Sequence, residues 1–260
     1  MVTNRPSNAE LDFILHRDFT TVFRSGYVQV KGVTLPRRFL DIQNDISNWT
    51  VRDRDIWIVT FPKTGTTWTQ EMVWMIMNDL DFKKGEENLG SRSPFLEVSA
   101  LFDFRKFKKE HSDFKPPPFL DDSLKFVQDE SKKGDLCLKT HLPWSLLPKS
   151  IQDNSKKPKA MSYAPYWNHV LPFWERRNQP NLLFLKYEKM VQDLPSVIKE
   201  VADFLEKPLS PENISLLAEH LSFDSMKKNP AVNYEMVVNL NRKYKFTDTD
   251  GCFMRSGKEL

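Results

Sequence analysis

The sequence predicts an α/β fold in which a mostly parallel central sheet is flanked by helices. Three short apolar segments, each followed directly by polar residues, are typical of buried strands: residues 55–61, 135–144 and 181–190. Helix-spaced apolar residues lie between and after these segments. Strands that alternate with helices favour parallel pairing, and in parallel sheets ligands bind beyond the carboxyl ends of the strands.

The first half of the chain contains the first strand and the helix that follows it. Residues 1–50 are irregular apart from short strand candidates such as YVQVKGV, and residues 84–130 are loop-rich. A helix is predicted after the first strand because four apolar residues recur at helical spacing: Trp68, Met72, Ile76 and Leu80.

The second half of the chain predicts two further helices. Val197, Val201 and Leu205 form one apolar stripe beside Ile198 and Ala202. In the next helix, Ser210 serves as N-cap and Pro211 occupies the first turn.

Composition describes an ordinary globular protein and excludes several classes. The 260 residues fit one large domain, and the net charge of +3 is too balanced for nucleic-acid binding. The first residues lack the apolar core of a signal peptide, and no segment approaches the roughly 18 apolar residues of a membrane span. Two cysteines form neither a disulfide framework nor a zinc spacing, so a reduced, cytoplasmic location is expected.

The turn after the first strand has the composition of a phosphate-binding site. A helix N-terminus offers unpaired N–H groups and a partial positive charge. Gly65 allows close backbone approach, Lys63 adds a full charge, and Thr64, Thr66 and Thr67 add hydroxyl groups. The lysine precedes the only glycine, so the pattern differs from the usual ATPase and GTPase loop. An ordinary strand–helix turn with polar residues is the alternative interpretation.

The end of the second strand adds a candidate base. His141 can accept a proton near neutral pH, and Lys139 lies two residues earlier, on the same side of an extended chain. A lone histidine is more often structural than catalytic. The other four have no comparable setting and are interpreted as structural or surface residues: His16, His111, His169 and His220.

Six motifs in order resemble those of the cytosolic sulfotransferases, from residue 61 nearly to the end. FPKTGTTW resembles their 5′-phosphosulfate loop and LKTHLPW their catalytic histidine segment. The others are SPFLE, LKYEKM, LSFDSMKKNPAVNY and FMRSGK. The resemblance implies the sulfotransferase fold and transfer of a sulfuryl group from 3′-phosphoadenosine 5′-phosphosulfate, without a metal, to a hydroxyl or amine of a small hydrophobic acceptor.

The resemblance also implies a role for each matching residue. Lys63 would stabilise the leaving group, His141 would deprotonate the acceptor, Lys139 would hold the sulfuryl oxygens, and Phe95 would line the acceptor pocket. Residues 64–68, ending with Trp68 near the adenine, would bind the 5′-phosphate. The matching nucleotide positions elsewhere would be Tyr187, Ser222, Phe223, Met226, Phe253, Met254, Arg255 and Gly257.

Several departures from the family pattern bear on activity. Leu221 replaces a usual threonine and Ser256 a usual lysine. Between His141 and Tyr187 we find neither the β-branched apolar strand nor the Arg-Asn-Pro turn that grips the 3′-phosphate. One central strand is therefore expected to be missing, its two neighbours pairing directly. The single domain, residues 1–260, would be incomplete near 154–160. It would end after 258, before the dimer contact, so a homodimer is not expected.

Trp167, Val170 and Trp174 match a later aromatic helix of the family. Pro172 is expected to kink or break that helix.

Three explanations for the missing block stay open: a splice or gene-model variant, a folded but weakly active enzyme, or a lineage that binds the donor differently. An inactive chain that acts only as a binding protein is the main functional alternative. A P-loop kinase of small molecules is disfavoured by the position of Lys63 and the lack of a magnesium-binding aspartate. Phe102 and Phe104, with Phe95, are candidates for the acceptor wall, although core packing is the commoner role of phenylalanine.

Overall fold

A four-stranded parallel sheet with helices on both faces forms the centre of the structure. The computed structural model describes residues 9–153, 159–163, 167–246 and Met254. The strands are β1 Tyr27–Val30, β2 Val33–Pro36, β3 Ile56–Thr60, β4 Cys137–Thr140, β5 Lys159–Tyr163 and β6 Leu182–Leu185. No helix in these residues is both long and apolar enough to cross a membrane.

Fifteen α-helices are found in the described ranges. They are α1 Ala9–Phe19, α2 Gln43–Ser47, α3 Thr66–Met77, α4 Leu89–Arg92, α5 Val98–Leu101, α6 Arg105–Glu110, α7 Pro118–Asp121, α8 Ser123–Ser131, α9 Lys149–Gln152, α10 Trp167–Trp174, α11 Tyr187–Gln192, α12 Leu194–Phe204, α13 Pro211–His220, α14 Phe223–Lys228 and α15 Glu235–Tyr244. Short 3₁₀ helices span Arg37–Asp41, Lys84–Glu86 and Trp144–Leu146.

The strand order determines where a ligand can bind. The order in the main sheet is β4-β3-β5-β6, and every pair is parallel. The chain passes from β3 to β4 on one side and then crosses to β5 on the other side of β3. This reversal makes the carboxyl end of β3 the switch point of the sheet, where crevices form in open α/β folds.

The alternating side chains of the strands enter two separate cores. In β3, Ile56 and Ile58 belong to the core with α3 and α12, whereas Trp57 and Val59 belong to the opposite core. Both faces of the sheet are therefore covered, which explains why all five residues of β3 are buried. The predicted α/β class with a mostly parallel sheet is confirmed.

The helix after β3 begins where the sequence predicts it. Gly65 is its N-cap and has a φ of 97°, in the left-handed region that glycine adopts without strain. The helix ends at Met77, so Leu80 lies beyond it. The predicted serine cap is also observed, because the Ser210 side chain accepts a hydrogen bond from Asn213 N at the start of α13.

The expectation of a missing central strand is wrong. Residues 159–163 form β5, whose register pairs Ile56 with Lys159 on one side and Ala160 with Leu182 on the other. The strands β3 and β6 are thus separated by a paired strand and do not contact each other directly. The segment KAMSY lacks a β-branched apolar run, but two flanking strand edges hold it, and pairing context outweighs intrinsic β propensity.

Other local expectations need smaller corrections. The stretch 84–130 contains five short α-helices and a 3₁₀ turn. Helix α10 continues through Pro172 for two more residues, so the expected break does not occur. The strand candidate YVQVKGV forms the hairpin of β1 and β2, with Lys31 and Gly32 at positive φ in the turn.

Candidate active site

The loop between β3 and α3, residues 61–65, is the anion loop. Thr64 Oγ1 donates a hydrogen bond to Phe61 O at 2.7 Å and so closes the turn from within. Thr69 N donates to Gly65 O at 3.0 Å, so the amides of Thr66, Thr67 and Trp68 precede the first intrahelical hydrogen bond. These amides and the helix dipole face the switch point of the sheet and can bind an oxyanion.

His141 follows β4 directly and lies at the carboxyl end of the neighbouring strand β3. Its Nδ1 is 2.8 Å from Thr60 O and 3.0 Å from Thr60 Oγ1. Because a carbonyl oxygen only accepts hydrogen bonds, Nδ1 carries the proton and Nε2 keeps its lone pair. Burial, together with the charge of Lys139, lowers the pKa of His141 to about 3, so the ring is neutral at physiological pH.

A buried carboxylate fixes the backbone that carries His141. Glu97 Oε1 accepts a hydrogen bond from His141 N at 2.7 Å, and Oε2 accepts one from Thr140 Oγ1 at 2.8 Å. The hydroxyl of Thr140 in turn accepts from Leu142 N. Burial raises the pKa of Glu97 to about 7, against the opposing effect of these hydrogen bonds. The two donors favour the ionised form of Glu97, but burial outweighs them, and the carboxyl group keeps its proton to a higher pH than an exposed glutamate does.

Lys139 brings a cation to the same place. Residues 94–96 pair with the outer edge of β4, since Lys139 N donates to Pro94 O and Leu96 N donates to Lys139 O. This pairing places the Phe95 ring beside Lys139 and His141. The ring centre lies 4.4 Å from Lys139 Nζ and 4.8 Å from the centre of the His141 ring. The Tyr234 ring centre lies 5.9 Å from the same ammonium group. Lys139 as a whole is only 7% exposed.

Thr60 connects the anion loop to the histidine. Its side chain is fully buried at the last position of β3, and its Oγ1 lies 2.7 Å from Thr66 Oγ1 in the first turn of α3. The same oxygen contacts His141 Nδ1. The hydroxyl group of Thr60 thus links the imidazole to Thr66 in the first turn of α3.

Several of the predicted nucleotide residues pack on the core that contains α3 and α12. The rings of Trp68 and Tyr187 meet edge to face at 6.0 Å. Both pack on the core that contains Met226, and Met254 lies against the same core. Ser222 caps α14, where its Oγ accepts from Ser225 N, and Phe223 is the first residue of that helix. Phe253, Arg255 and Gly257 lie outside the described residues.

The aromatic residues predicted for the acceptor wall divide into two groups. Phe95 contacts Lys139 and His141, whereas Phe102 and Phe104 pack in a separate aromatic cluster around Phe23. The ring of Phe23 lies 6.4 Å from Phe102 and 4.9 Å from Phe104.

Sequence reasoning missed three residues of this site. Glu97 and Thr60 act through hydrogen bonds that span 43 to 81 positions, and no local pattern reveals such contacts. The only signal was a single acidic residue within the apolar segment PFLEVSALF.

The third is His169, interpreted above as structural or surface. It is 6% exposed, and its ring nitrogens lie near the backbone of His141 and Leu142 without forming a hydrogen bond of good geometry within the described part of the chain. Burial lowers its pKa to about 4, and its charge contributes to the lowered pKa of His141. Its ring centre lies 6.1 Å from that of Phe61 in the anion loop.

The chain was compared with protein families and with curated proteins. The sulfotransferase domain model matches residues 53–158 and 157–259. Luciferin sulfotransferase of Photinus pyralis is 36% identical, covering 95% of this chain and 77% of that protein. Sulfotransferase 1E1 of Mus musculus is 28% identical, covering 88% of this chain and 83% of that protein.

Solved structures agree with these matches. Retinol dehydratase in complex with androsterone and the inactive cofactor PAP superposes with a TM-score of 0.81 at 28% identity, covering 98% of this chain and 88% of that one. A second structure of retinol dehydratase, in a complex with retinol and PAP, gives a TM-score of 0.80 at the same identity.

Proposed function

The chain belongs to the sulfotransferase domain family, and we propose that it transfers a sulfuryl group from 3′-phosphoadenosine 5′-phosphosulfate to a hydroxyl group of a small hydrophobic acceptor. The observation that carries the proposal is the position of Thr60 Oγ1, 2.7 Å from Thr66 Oγ1 and 3.0 Å from His141 Nδ1. An anion-binding helix terminus and a neutral imidazole therefore share one site.

The anion loop fits the 5′-phosphosulfate of this donor. The amides at the start of α3 have no partner within the helix, and Thr66 and Thr67 place their hydroxyl groups in the same first turn. The Thr64 hydroxyl already donates to Phe61 O, so we assign Thr64 a backbone contact to the phosphate. Lys63 is exposed at the loop tip and adds the full positive charge that the phosphate oxygens need.

The nucleoside would extend along α3 toward α11 and α14. We propose that the adenine packs against the Trp68 and Tyr187 rings, which contact each other edge to face, with Ser222, Phe223 and Met226 beside it. Retinol dehydratase, the solved neighbour, contains PAP, which supports a nucleotide in this fold. Phe253, Met254, Arg255 and Gly257 are proposed to reach the 3′-phosphate.

The proposed reaction is an in-line displacement at sulfur. The acceptor oxygen attacks the sulfur atom and gives its proton to His141 Nε2, while the bond between sulfur and the bridging phosphate oxygen breaks. Adenosine 3′,5′-bisphosphate leaves with the bridging electrons, and Lys63 stabilises the charge that develops there. Lys139 holds the equatorial sulfuryl oxygens. His141 then releases the proton to solvent, which completes the balance.

The acceptor proposed here is a hydrophobic alcohol or phenol. The Phe95 ring forms an apolar wall against both Lys139 and His141, so a ring or chain next to the reacting hydroxyl can pack on it. The ligands of the retinol dehydratase structures, androsterone and retinol, are hydrophobic alcohols and support this choice of class.

The experiment is transfer of radiolabelled sulfate to a panel of phenols and alcohols, together with calorimetric titration of adenosine 3′,5′-bisphosphate. The His141→Ala variant is expected to lose roughly 10²- to 10⁴-fold in rate, the usual contribution of a general base, and to keep its affinity for the bisphosphate. His16→Ala, at an exposed histidine of α1, should match the wild type.

Two outcomes would contradict the proposal. If the bisphosphate produces no heat and no thermal stabilisation, the nucleotide assignment is wrong. If it binds but no acceptor is sulfated, the chain is a binding protein. The lack of an Arg-Asn-Pro turn between His141 and Tyr187 favours that alternative.

A further inference from the structure

Three polar side chains form a continuous hydrogen-bonded chain from the anion loop to the candidate base. Thr66 Oγ1, Thr60 Oγ1 and His141 Nδ1 are separated by 2.7 Å and 3.0 Å. Thr60 is fully buried and Thr66 is 7% exposed, so solvent has little access to the links between them. A second contact, 2.8 Å from Nδ1 to Thr60 O, holds the ring from the backbone of the same residue.

The number of donor hydrogens on these three side chains limits the possible directions of their hydrogen bonds. Each threonine hydroxyl has one hydrogen to donate, and a neutral imidazole has one N–H. The carbonyl of Thr60 can only accept, so Nδ1 donates toward Thr60. The Thr60 hydroxyl then accepts from Nδ1–H, and Thr66 Oγ1, 2.7 Å away, is the acceptor within reach of its own hydrogen. The hydrogen of Thr66 is left to point toward the first turn of α3.

The reverse arrangement is unfavourable. If Thr66 donated to Thr60, the hydrogen of the buried Thr60 hydroxyl would either point away from both contacts, without an acceptor, or be donated to a bare Nδ1. In the second case the ring proton would sit on Nε2, and the lone pairs of Nδ1 and Thr60 O would face each other at 2.8 Å. In this arrangement Nε2 could not accept a proton from an acceptor hydroxyl.

We propose that Thr60 is a positioning residue that couples donor binding to the state of His141. An oxyanion bound at the start of α3 accepts the hydrogen of Thr66, which orients the Thr60 hydroxyl and stabilises the proton on Nδ1. The lone pair of Nε2, which the Thr60 carbonyl already favours, is thereby held more firmly when the sulfuryl donor is in place. This inference rests on the proposed function, because it deepens the role of the same site.

The coupling can be measured apart from the rate. The probe is adenosine 3′,5′-bisphosphate, and the readout is the nuclear magnetic resonance signal of His141 in protein labelled with ¹⁵N-histidine. In the wild type, the bisphosphate should shift the Nδ1–H resonance and slow its exchange with water. Thr60→Val keeps the β-branched shape suited to a buried strand but removes the hydroxyl, so both responses should disappear.

The kinetic effects should separate chemistry from binding. For Thr60→Val we expect kcat to fall about tenfold, the rate equivalent of one lost hydrogen bond between neutral groups. The dissociation constant of the bisphosphate should change less than about threefold, because Thr66 still reaches the anion. Thr60→Ser keeps the hydroxyl and should restore most of kcat and the spectral response.

A variant at Thr66, the other end of the hydrogen-bonded series, tests the coupling without changing a residue of β3. Thr66→Ala leaves Thr60 and His141 intact and should still abolish the bisphosphate-induced change at Nδ1–H. If Thr60→Val or Thr66→Ala responds to the bisphosphate as the wild type does, the coupling is wrong while the proposed function stands. If the wild type neither binds the bisphosphate nor transfers sulfate, the proposed function fails, and the coupling fails with it.

Discussion

Gly65 sets the direction of the backbone amides at the start of α3. Its φ of 97° lies in the left-handed region, where a side chain adds strain. Gly65→Ala should therefore lose about 1–2 kcal/mol of stability. Relief of this strain would also move the amides that follow, so affinity for adenosine 3′,5′-bisphosphate should fall about tenfold or more, measured by calorimetry.

Gly32 provides a matched control for this substitution. It has a φ of 80° in the turn between β1 and β2, and an added Cβ would meet no atom within 4 Å. Gly32→Ala should lose similar stability without any change in bisphosphate affinity. Equal affinities for Gly65→Ala and the wild type would show that the loop binds no phosphate.

The sequence predicts the residues of the anion loop because their chemistry is local. Lysine, glycine and threonine between a strand and a helix suggest an anion site without knowledge of distant contacts. Lys139 and His141 follow from the same reasoning at the next strand. Glu97, Thr60 and His169 could not be found this way, since their importance comes from partners brought close only by the fold.

At the scale of elements, the sequence did not reveal strand β5, because its formation also depends on partners that are distant in sequence. Its sequence, KAMSY, has neither apolar alternation nor β-branched residues, so nothing local favours a strand. The parallel edges of β3 and β6 supply partners for its backbone groups on both sides. A segment in this position forms a strand because unpaired buried amides would cost more than poor propensity does.

A buried ion pair joins the helix of the anion loop to its neighbours. Glu71 of α3 lies 2.8 Å from Arg92 Nη2 at the end of α4 and 2.8 Å from His220 Nε2 at the end of α13. The Arg92 guanidinium also covers the Trp74 ring at 4.2 Å and donates to Glu87 O. Both partners of the ion pair are essentially inaccessible to solvent, so neither charge can be compensated by water.

Removal of one partner should destabilise the whole domain. Arg92→Met is expected to cost about 3–5 kcal/mol of unfolding free energy, because Glu71 stays buried without its main cation. The double variant Glu71→Leu with Arg92→Met should recover most of this loss. The measurement is urea unfolding. Lys125→Met, which breaks an exposed pair with Asp129 on α8, should leave the midpoint unchanged. A single Arg92→Met variant as stable as the wild type would mean that the pair is dispensable.

At the scale of the whole molecule, two buried titratable groups make stability depend on pH in opposite directions. The pKa of His141 is lowered to about 3, so the stability that its neutral form contributes is present above pH 6.5 and is lost as the pH falls toward 3. The pKa of Glu97 is raised to about 7, so the folded protein holds a proton that the unfolded chain releases near 4.5. The contribution of Glu97 is therefore greatest at low pH and is lost as the pH rises through 7.

Comparison of the wild type with Glu97→Gln isolates the second effect, because His141 is present in both proteins. The difference between the ordinary pKa of 4.5 and the pKa of about 7 in the folded protein corresponds to at most roughly 3 kcal/mol of unfolding free energy. The stability of the variant relative to the wild type should therefore increase between pH 5 and pH 8, measured by urea unfolding at each pH. Glu110→Gln, at an exposed carboxylate of α6, is the control and should show no such trend. A difference between Glu97→Gln and the wild type that is constant over this range would mean that Glu97 is ionised throughout, and that the fold holds a charge beside His141 at every pH tested.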